Sequence, residues 1–204
     1  MAKLEVPPTK SSLLALQRGL ESAQEGYDLL EQKRQILVLE LMGRLEAAKR
    51  AQKEVDAAMA AAFAAFRDAA LRSGTEALAR EALAITRAHR LTYSGRPVMG
   101  IDLPTVVAEH EPPKAEVSTA SGSALSDAVI ALFTKALDAI ARLAEIENAV
   151  LRLASEVRRT QRRVNALDRV FIPDYKETIA YIEDVLEERE REQFVIMKIA
   201  KGPG

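Results

Sequence analysis

The sequence predicts a mainly α protein: a long antiparallel left-handed two-helix coiled coil with a small head, made of a short helix and a β-hairpin, between the two helices. Three observations predict it: the composition, two long heptad stripes, and a group of turn-forming residues between them. Aromatic residues make up only 4% of the 204 residues and Trp is absent, while Ala, Leu, Glu, Arg and Lys dominate. This mixture is typical of long helices and favours a narrow helix–helix seam over a thick core.

The first long helix is predicted within residues 1–72. No proline interrupts residues 9–72, which follow the Pro7-Pro8 breaker. Apolar residues recur there at intervals of three and four, with an interruption at Arg34, and this pattern is a heptad seam. The predicted seam residues are Leu13, Leu16, Leu20, Ala23, Tyr27, Leu30, Leu37, Leu41, Ala48, Val55, Ala62 and Phe66.

Residues 73–123 are predicted to form the head, because most of the glycine and proline punctuation lies there. Gly74 ends the first helix, and Thr75 can begin a short second one that runs to about His89. Residues 91–99 and 103–107 suit a β-hairpin, and residues 112–123, rich in Pro, Ser and Thr, suit a loop.

The second long helix is predicted within residues 124–204, with a kink at Pro173, whose ring displaces the bond to the carbonyl of Arg169. Its apolar residues alternate steps of four and three over nearly seven heptads, which predicts a left-handed coiled coil. These residues are Leu125, Val129, Leu132, Ala136, Ala139, Leu143, Ile146, Val150, Leu153, Val157, Thr160, Val164, Leu167 and Phe171.

Each long segment carries an apolar stripe that must be buried, and folding back at the head buries both stripes against each other. A parallel homodimer would also bury them, but the head would then have to be accommodated twice. With Arg72 opposite Ala124, the numbers of facing residues sum to about 196. The Ala-rich residues 57–65 then face residues 130–139 in a thin neck.

This register leaves the second helix overhanging its partner from about residue 187. Residues 187–192 alternate Glu and Arg, and a helix that is polar all round suits an unpaired extension. The overhang ends in an apolar tip, defined as Phe194, Val195, Ile196, Met197 and Ile199. We expect a partner to bury the tip; the alternative is that it folds back onto Leu4 and Val6.

The same register brings six basic residues to one height, and we call them the basic belt: Lys33, Arg34, Arg158, Arg159, Arg162 and Arg163. Glu31 and Glu156 offset this charge only in part. Because like charges this close repel, the basic belt favours an acidic partner. The alternatives are a solvated coiled-coil face and, less favoured without an aromatic platform or a basic tail, nucleic-acid binding.

Other features narrow the function. The formal net charge of −1 predicts no general attraction to nucleic acid or anionic lipid, and the absence of Cys excludes disulfides and thiolate metal sites. No signal peptide or membrane-spanning run is recognisable, so we expect a soluble, cytosolic protein. His89 and His110 have no second ligand at metal spacing. We expect no catalytic, cofactor or metal site.

Several stretches resemble the D subunit of V-type and archaeal-type ATPases. The resemblance is carried by residues 8–10 and 26–34 near the N-terminus, and by residues 156–167, 172–173, 178–182 and 186–192 in the second helix. The Arg-Arg-Thr-Gln-Arg-Arg-Val-Asn-Ala-Leu run is the most specific, because heptad logic requires neither Asn165 nor that arginine spacing. Asp168 stands where the family would have Glu.

The resemblance implies a non-catalytic rotor subunit, the central stalk of a rotary ATPase or ATP synthase, peripheral to the membrane on its cytoplasmic side. Both termini would enter the bore of a hexamer of catalytic A and non-catalytic B subunits, where the basic belt would meet acidic stator loops. The head would couple through a socket subunit to the ion-translocating membrane ring, and the small F subunit of the rotor would bind alongside. The main alternative is a coiled-coil chaperone similar to prefoldin, and the third is a nucleic-acid-associated coiled coil.

Overall fold

The computed structural model describes residues 4–83, 89–110 and 124–201. Helix α1 spans Lys10–Ser73, helix α2 Thr75–Leu83, strand β1 His89–Val98 and strand β2 Ile101–His110. Helix α3 spans Ala124–Ala166, a π-helical turn spans Leu167–Phe171, and helix α4 spans Ile172–Ala200. The predicted fold class is therefore confirmed: long helices flank a short helix and a two-stranded antiparallel hairpin. The predicted loop at residues 112–123 lies outside the described residues, as does the end of the short helix beyond Leu83.

Two compact units share helix α1. One joins the residues up to Val38 with those from Val157 onward, and the other holds Leu39–Glu156. This division does not follow the three sequence segments with boundaries at residues 72 and 123, which stay a prediction. Each unit is described separately below.

In the first unit, α1 packs antiparallel on the second long helical segment. A Cβ at Gly19 would lie 3.3 Å from the ring of Tyr175, and one at Gly26 would lie 4.0 Å from Leu167. Both pairs fall within about three residues of the predicted register. Leu16, Ile179 and Ile182 form a buried cluster that is surrounded by Leu13, Leu20, Tyr175 and Leu186. The seam thus closes with small and branched side chains where α4 meets the start of α1.

The π-helical turn before Pro173 changes the phase of the seam. The N–H of Ile172 bonds the carbonyl of Leu167, five residues earlier, and this wide turn adds one residue to the helix. Phe171, predicted in the seam, is consequently rotated out and is 51% exposed. The seam resumes one residue late, at Tyr175, Ile179, Ile182 and Leu186. The sequence located the irregularity at Pro173 but not the register shift that accompanies it.

The N-terminal residues make a contact that heptad reasoning did not predict. The N–H of Leu4 donates to Oγ1 of Thr178 over 3.2 Å, and Arg189 donates to the carbonyl of Pro8 over 3.0 Å. The Thr178 hydroxyl in turn donates to the carbonyl of Asp174. Leu4 therefore lies beside the middle of α4, and the alternative in which the apolar tip folds back onto Leu4 and Val6 is wrong.

In the second unit, an aromatic contact crosses the seam between α1 and α3. The ring centroids of Phe63 and Phe133 lie 5.5 Å apart, edge to face, and the pair agrees with the register predicted for the Ala-rich neck. Buried alanines line this part of the seam, namely Ala62, Ala69, Ala136 and Ala139.

Phe66, the last predicted seam residue of α1, is partly exposed instead of buried. It lies beside α2, where it lines a small apolar hollow with Leu78 and Val129. A hydrogen bond from Ser126 to Glu81 holds α2 to α3. The short helix thus displaces the heptad partner that Phe66 would otherwise meet.

The hairpin lies against α3 through strand β2. Met99 and Gly100 form its two-residue turn, both with positive φ, as a type I′ turn requires. The carboxylate of Glu145 accepts from the N–H of Val106 over 2.9 Å, Arg152 donates to the carbonyl of Asp102, and Leu103 is buried. Strand β2 is thus the packed strand and β1 the outer one.

We predict that two glycines of α1 respond differently to the same substitution. Gly43→Ala should raise the free energy of unfolding by about 0.5–1 kcal/mol, because alanine is the better helix former and no atom lies within 4 Å of the new Cβ. Gly19→Ala should gain less or lose stability, because its Cβ presses on the ring of Tyr175. Thermal unfolding followed by circular dichroism measures both, and an equal rise in Tm would contradict the close contact.

Candidate functional site

The four arginines of the basic belt in α3 lie on the side of the helix that faces away from the seam. At about 100° per residue, residues 158, 159, 162 and 163 cover an arc of about 140°. The seam residues Val157, Thr160 and Val164 occupy the opposite side, and Thr160 and Val164 are buried. All four arginine side chains are exposed.

Lys33 and Arg34 occupy a different position, since they flank the seam on α1. Leu37, beside them on the helical projection, is fully buried, and both basic side chains are half-buried. One heptad beyond the Gly26–Leu167 contact, the antiparallel register places Lys33 level with about Thr160. The structure therefore brings all six residues to one region of the first unit, two beside the seam and four on the outer face.

One charge of the basic belt is compensated by its own helix. Nε of Arg34 donates to Oε2 of Glu31 over 2.8 Å, and its Nη2 donates to the other oxygen of that carboxylate. These hydrogen bonds lower the pKa of Glu31 and raise the pKa of Arg34, so the pair stays ionised at neutral pH.

The other charges of the basic belt divide into two groups. Lys33 and Arg159 have interaction partners, as does the neighbouring Glu156. The second group makes no salt bridge within the described part of the chain, and its members are Arg158, Arg162 and Arg163. These three arginines are the charges left for a partner.

The polar run before the apolar tip is paired mainly within its own helix. Arg191 forms salt bridges to Glu187 and Glu188, one turn earlier, and all these side chains are largely exposed. Lys10 also bonds Glu190 over 2.7 Å, which lowers the pKa of Glu190 and raises the pKa of Lys10. This contact lies about one helical turn beyond the predicted start of the overhang.

The apolar tip has no cover among the described residues. Phe194, Val195, Ile196, Met197 and Ile199 are each more than half exposed, and they follow one another at the end of α4. A contiguous apolar surface of this kind is unusual on a protein that acts alone and marks a binding surface. The tip and the basic belt thus offer two different chemistries on one helical segment, apolar contact and positive charge.

Sequence reasoning missed the groups that hold the hairpin, Glu145 and Arg152. They are seven residues apart on α3, so they lie on one face two turns from each other. That spacing is visible in the sequence, but only the fold shows which backbone groups they meet.

The acidic side chains of the protein are spread along its helices. Among residues 4–83, 89–110 and 124–201, no three His, Asp or Glu side chains are grouped so that they could hold a metal ion. The side chains of His89 and His110, which the sequence singled out, lie outside the described residues. Within the described ranges, no helix combines the length and the apolarity that crossing a bilayer requires.

Comparison with known proteins gives one consistent result. The family model for the D subunit of ATP synthase matches residues 12–202. The V-type ATP synthase D subunit of Thermotoga neapolitana is 40% identical over 97% of this chain and 98% of its own length. The D subunit of Treponema pallidum that is numbered 2 in its V-type ATP synthase is 38% identical over 98% of this chain and 96% of its own length. The A-type ATP synthase D subunit of Thermococcus sibiricus is 34% identical over 98% and 94%, respectively.

The matches span both long helices, both surfaces described above and the head between them, so the likeness does not come from a shared heptad pattern alone. With its long paired helices, its outward arginines and its exposed apolar tip, the chain belongs to the family of ATP synthase D subunits.

Proposed function

We propose that this chain is the central stalk, or rotor, subunit of a rotary V-type or A-type ATPase. It transmits torque between the hexamer that hydrolyses or synthesises ATP and the ion-translocating membrane ring. The observation that carries this function is the match to the D subunit family over residues 12–202. Long paired helices suit the task, because a closely packed seam resists twisting when load is applied at one end.

Its own role in the complex is mechanical and not catalytic. ATP would bind on the hexamer, and this chain would supply surfaces that differ around its circumference, so that each stator subunit meets a different face in turn. The four outward arginines on one side of α3 and the exposed Phe171 provide that asymmetry. The chain would work on the cytoplasmic side, peripheral to the membrane.

Each surface has a proposed partner. The apolar tip would sit in the bore of the hexamer of A and B subunits, since burial of five large side chains gives a strong apolar anchor. The basic belt would meet acidic loops of the same hexamer. The head would dock on a socket subunit above the membrane ring, and the small F subunit would bind alongside the paired helices. No nucleic acid and no direct membrane insertion are part of this proposal.

The prefoldin-like chaperone is not favoured by any of these observations. Prefoldin subunits also join two coiled helices through β-hairpins, but this chain matches the D subunit family through both helices and the head.

Co-purification tests membership of the complex. An affinity-tagged copy of this chain, expressed in its native cell, should co-purify with the A and B subunits of a rotary ATPase, as identified by mass spectrometry. Recovery of diverse unfolded proteins without those subunits would instead support the chaperone.

Charge reversal tests the basic belt. Arg162→Glu combined with Arg163→Glu should leave helicity and Tm nearly unchanged, because both side chains are exposed and make no salt bridge within the described residues. In the assembled motor the same change should lower ATP-driven ion pumping per ATP hydrolysed by severalfold.

The matched control for this charge reversal lies on α1, outside the basic belt. Arg50→Glu combined with Lys53→Glu also reverses two exposed basic residues of one helix, and it should leave coupling unchanged. Unfolding of the isolated double variant at Arg162 and Arg163 would show that the belt is structural.

A pair of isoleucine substitutions separates anchoring from folding. Ile199 is 74% exposed, whereas Ile182 is fully buried in the Leu16–Ile179 cluster. Ile199→Ser should leave the free energy of unfolding within about 0.5 kcal/mol of wild type and weaken binding to the hexamer of A and B subunits. Ile182→Ala should lower the free energy of unfolding by about 2–5 kcal/mol through the cavity it leaves. Hexamer binding that is insensitive to Ile199→Ser, and to the same change at Ile196, would argue against the tip as anchor.

A further inference from the structure

Strand β1 of the hairpin has an unpaired outer edge. In a hairpin with a two-residue turn, Val98 and Ile101 form a hydrogen-bonded pair, and bonded and non-bonded pairs then alternate along the strands. The residues of β1 that fall in non-bonded pairs direct their backbone groups outward from the hairpin, and they are Leu91, Tyr93, Gly95 and Pro97.

Four observations on both strands support this assignment. Pro97 and Pro104, which have no N–H to donate, both occupy non-bonded pairs. On β2 the outward N–H of Val106 and the outward carbonyl of Asp102 are the groups that bond side chains of α3. The outer edge of β2 is therefore satisfied by α3, and the corresponding edge of β1 faces away from it.

The edge of β1 is open over most of its length. Every residue from Arg90 to Pro97 is exposed, including Tyr93 at 68%. Within the described residues, the N–H groups of Leu91, Tyr93 and Gly95 have no hydrogen-bond partner. An exposed edge with apolar side chains is a template for pairing with another strand, and natural proteins usually protect such edges when they are not used.

The side chains of β1 determine which strand would fit. Leu91 and Tyr93 lie on one face, and Arg90 and Arg96, the only Arg, Lys, Asp or Glu residues of β1, lie on the other. A second copy of β1 paired antiparallel about Tyr93 would place Arg90 directly against Arg96 twice, and these like charges disfavour self-association. A strand with apolar residues opposite Leu91 and Tyr93 and acidic residues opposite the two arginines meets both requirements.

We propose that β1 is an acceptor edge for β-strand addition, and that its partner is an extended protein segment of about seven residues with an apolar centre and acidic ends. Main-chain hydrogen bonds to Leu91, Tyr93 and Gly95 supply binding, and the arginines select the acidic residues. The head of this protein thereby gains a specific docking mode that is separate from the basic belt and the apolar tip. The proposal does not depend on the rotor function.

The test uses the full chain and a capped, fluorescent heptapeptide, Glu-Val-Thr-Val-Thr-Val-Glu, which has the same pattern read in either direction. In the antiparallel pairing its valine amides face β1 and its threonine amides face solvent. Fluorescence anisotropy should show saturable binding. N-methylation of the valine amides should weaken it at least about tenfold, whereas N-methylation of the threonine amides should leave it within about twofold, because only the valine amides donate to β1.

A charge exchange on the protein provides the matched control. The variant with Arg90→Glu and Arg96→Glu should lose affinity for the acidic peptide by about fivefold or more and gain affinity for Lys-Val-Thr-Val-Thr-Val-Lys, with an unchanged Tm. Equal effects of the two N-methylated peptides, no saturable binding of the acidic peptide by a folded chain, or dimerisation through β1 in sedimentation experiments would each overturn the proposal.

Discussion

The burial of two continuous apolar stripes against each other is the constraint on which the rest of the molecule depends. Neither long helical segment can be stable alone in water, because each exposes an apolar residue at every turn or so. The dry region is narrow, and a narrow seam is sensitive to phase. The π-helical turn inserts one residue and moves every later seam contact by one position, which brings Tyr175 against Gly19. The same irregularity leaves Phe171 on the surface.

Charge and apolarity are kept apart on this surface. The outward arginines of α3 lie opposite the seam, the Glu and Arg residues before the tip are paired along their helix, and the apolar tip comes last. Surface ion pairs of this kind contribute little to stability, so their arrangement bears mainly on recognition. The hairpin adds a third kind of surface, a strand edge whose main-chain groups are open to a partner.

The sequence alone determined the helices, the seam and its approximate register, because heptad spacing is a local property that a helix converts directly into one buried face. It also located the hairpin, the basic belt and the apolar tip, together with the resemblance to the D subunit family, which the family comparison confirms. Seam residues at the irregular sites were the exceptions: Phe66 and Phe171 have ideal spacing but lie beside α2 and in the π-helical turn.

Only the tertiary structure decided the features that join residues far apart in the chain. The contacts of Leu4 with Thr178 and of Glu145 with Val106 depend on how segments meet, and no periodicity encodes them. Side-chain geometry pairs Arg34 with a carboxylate of its own helix and leaves the outward arginines of α3 as the open charges of the basic belt. The choice of β1 as the outer strand has the same origin, since both strands have the length and composition of a hairpin strand and only packing against α3 distinguishes them.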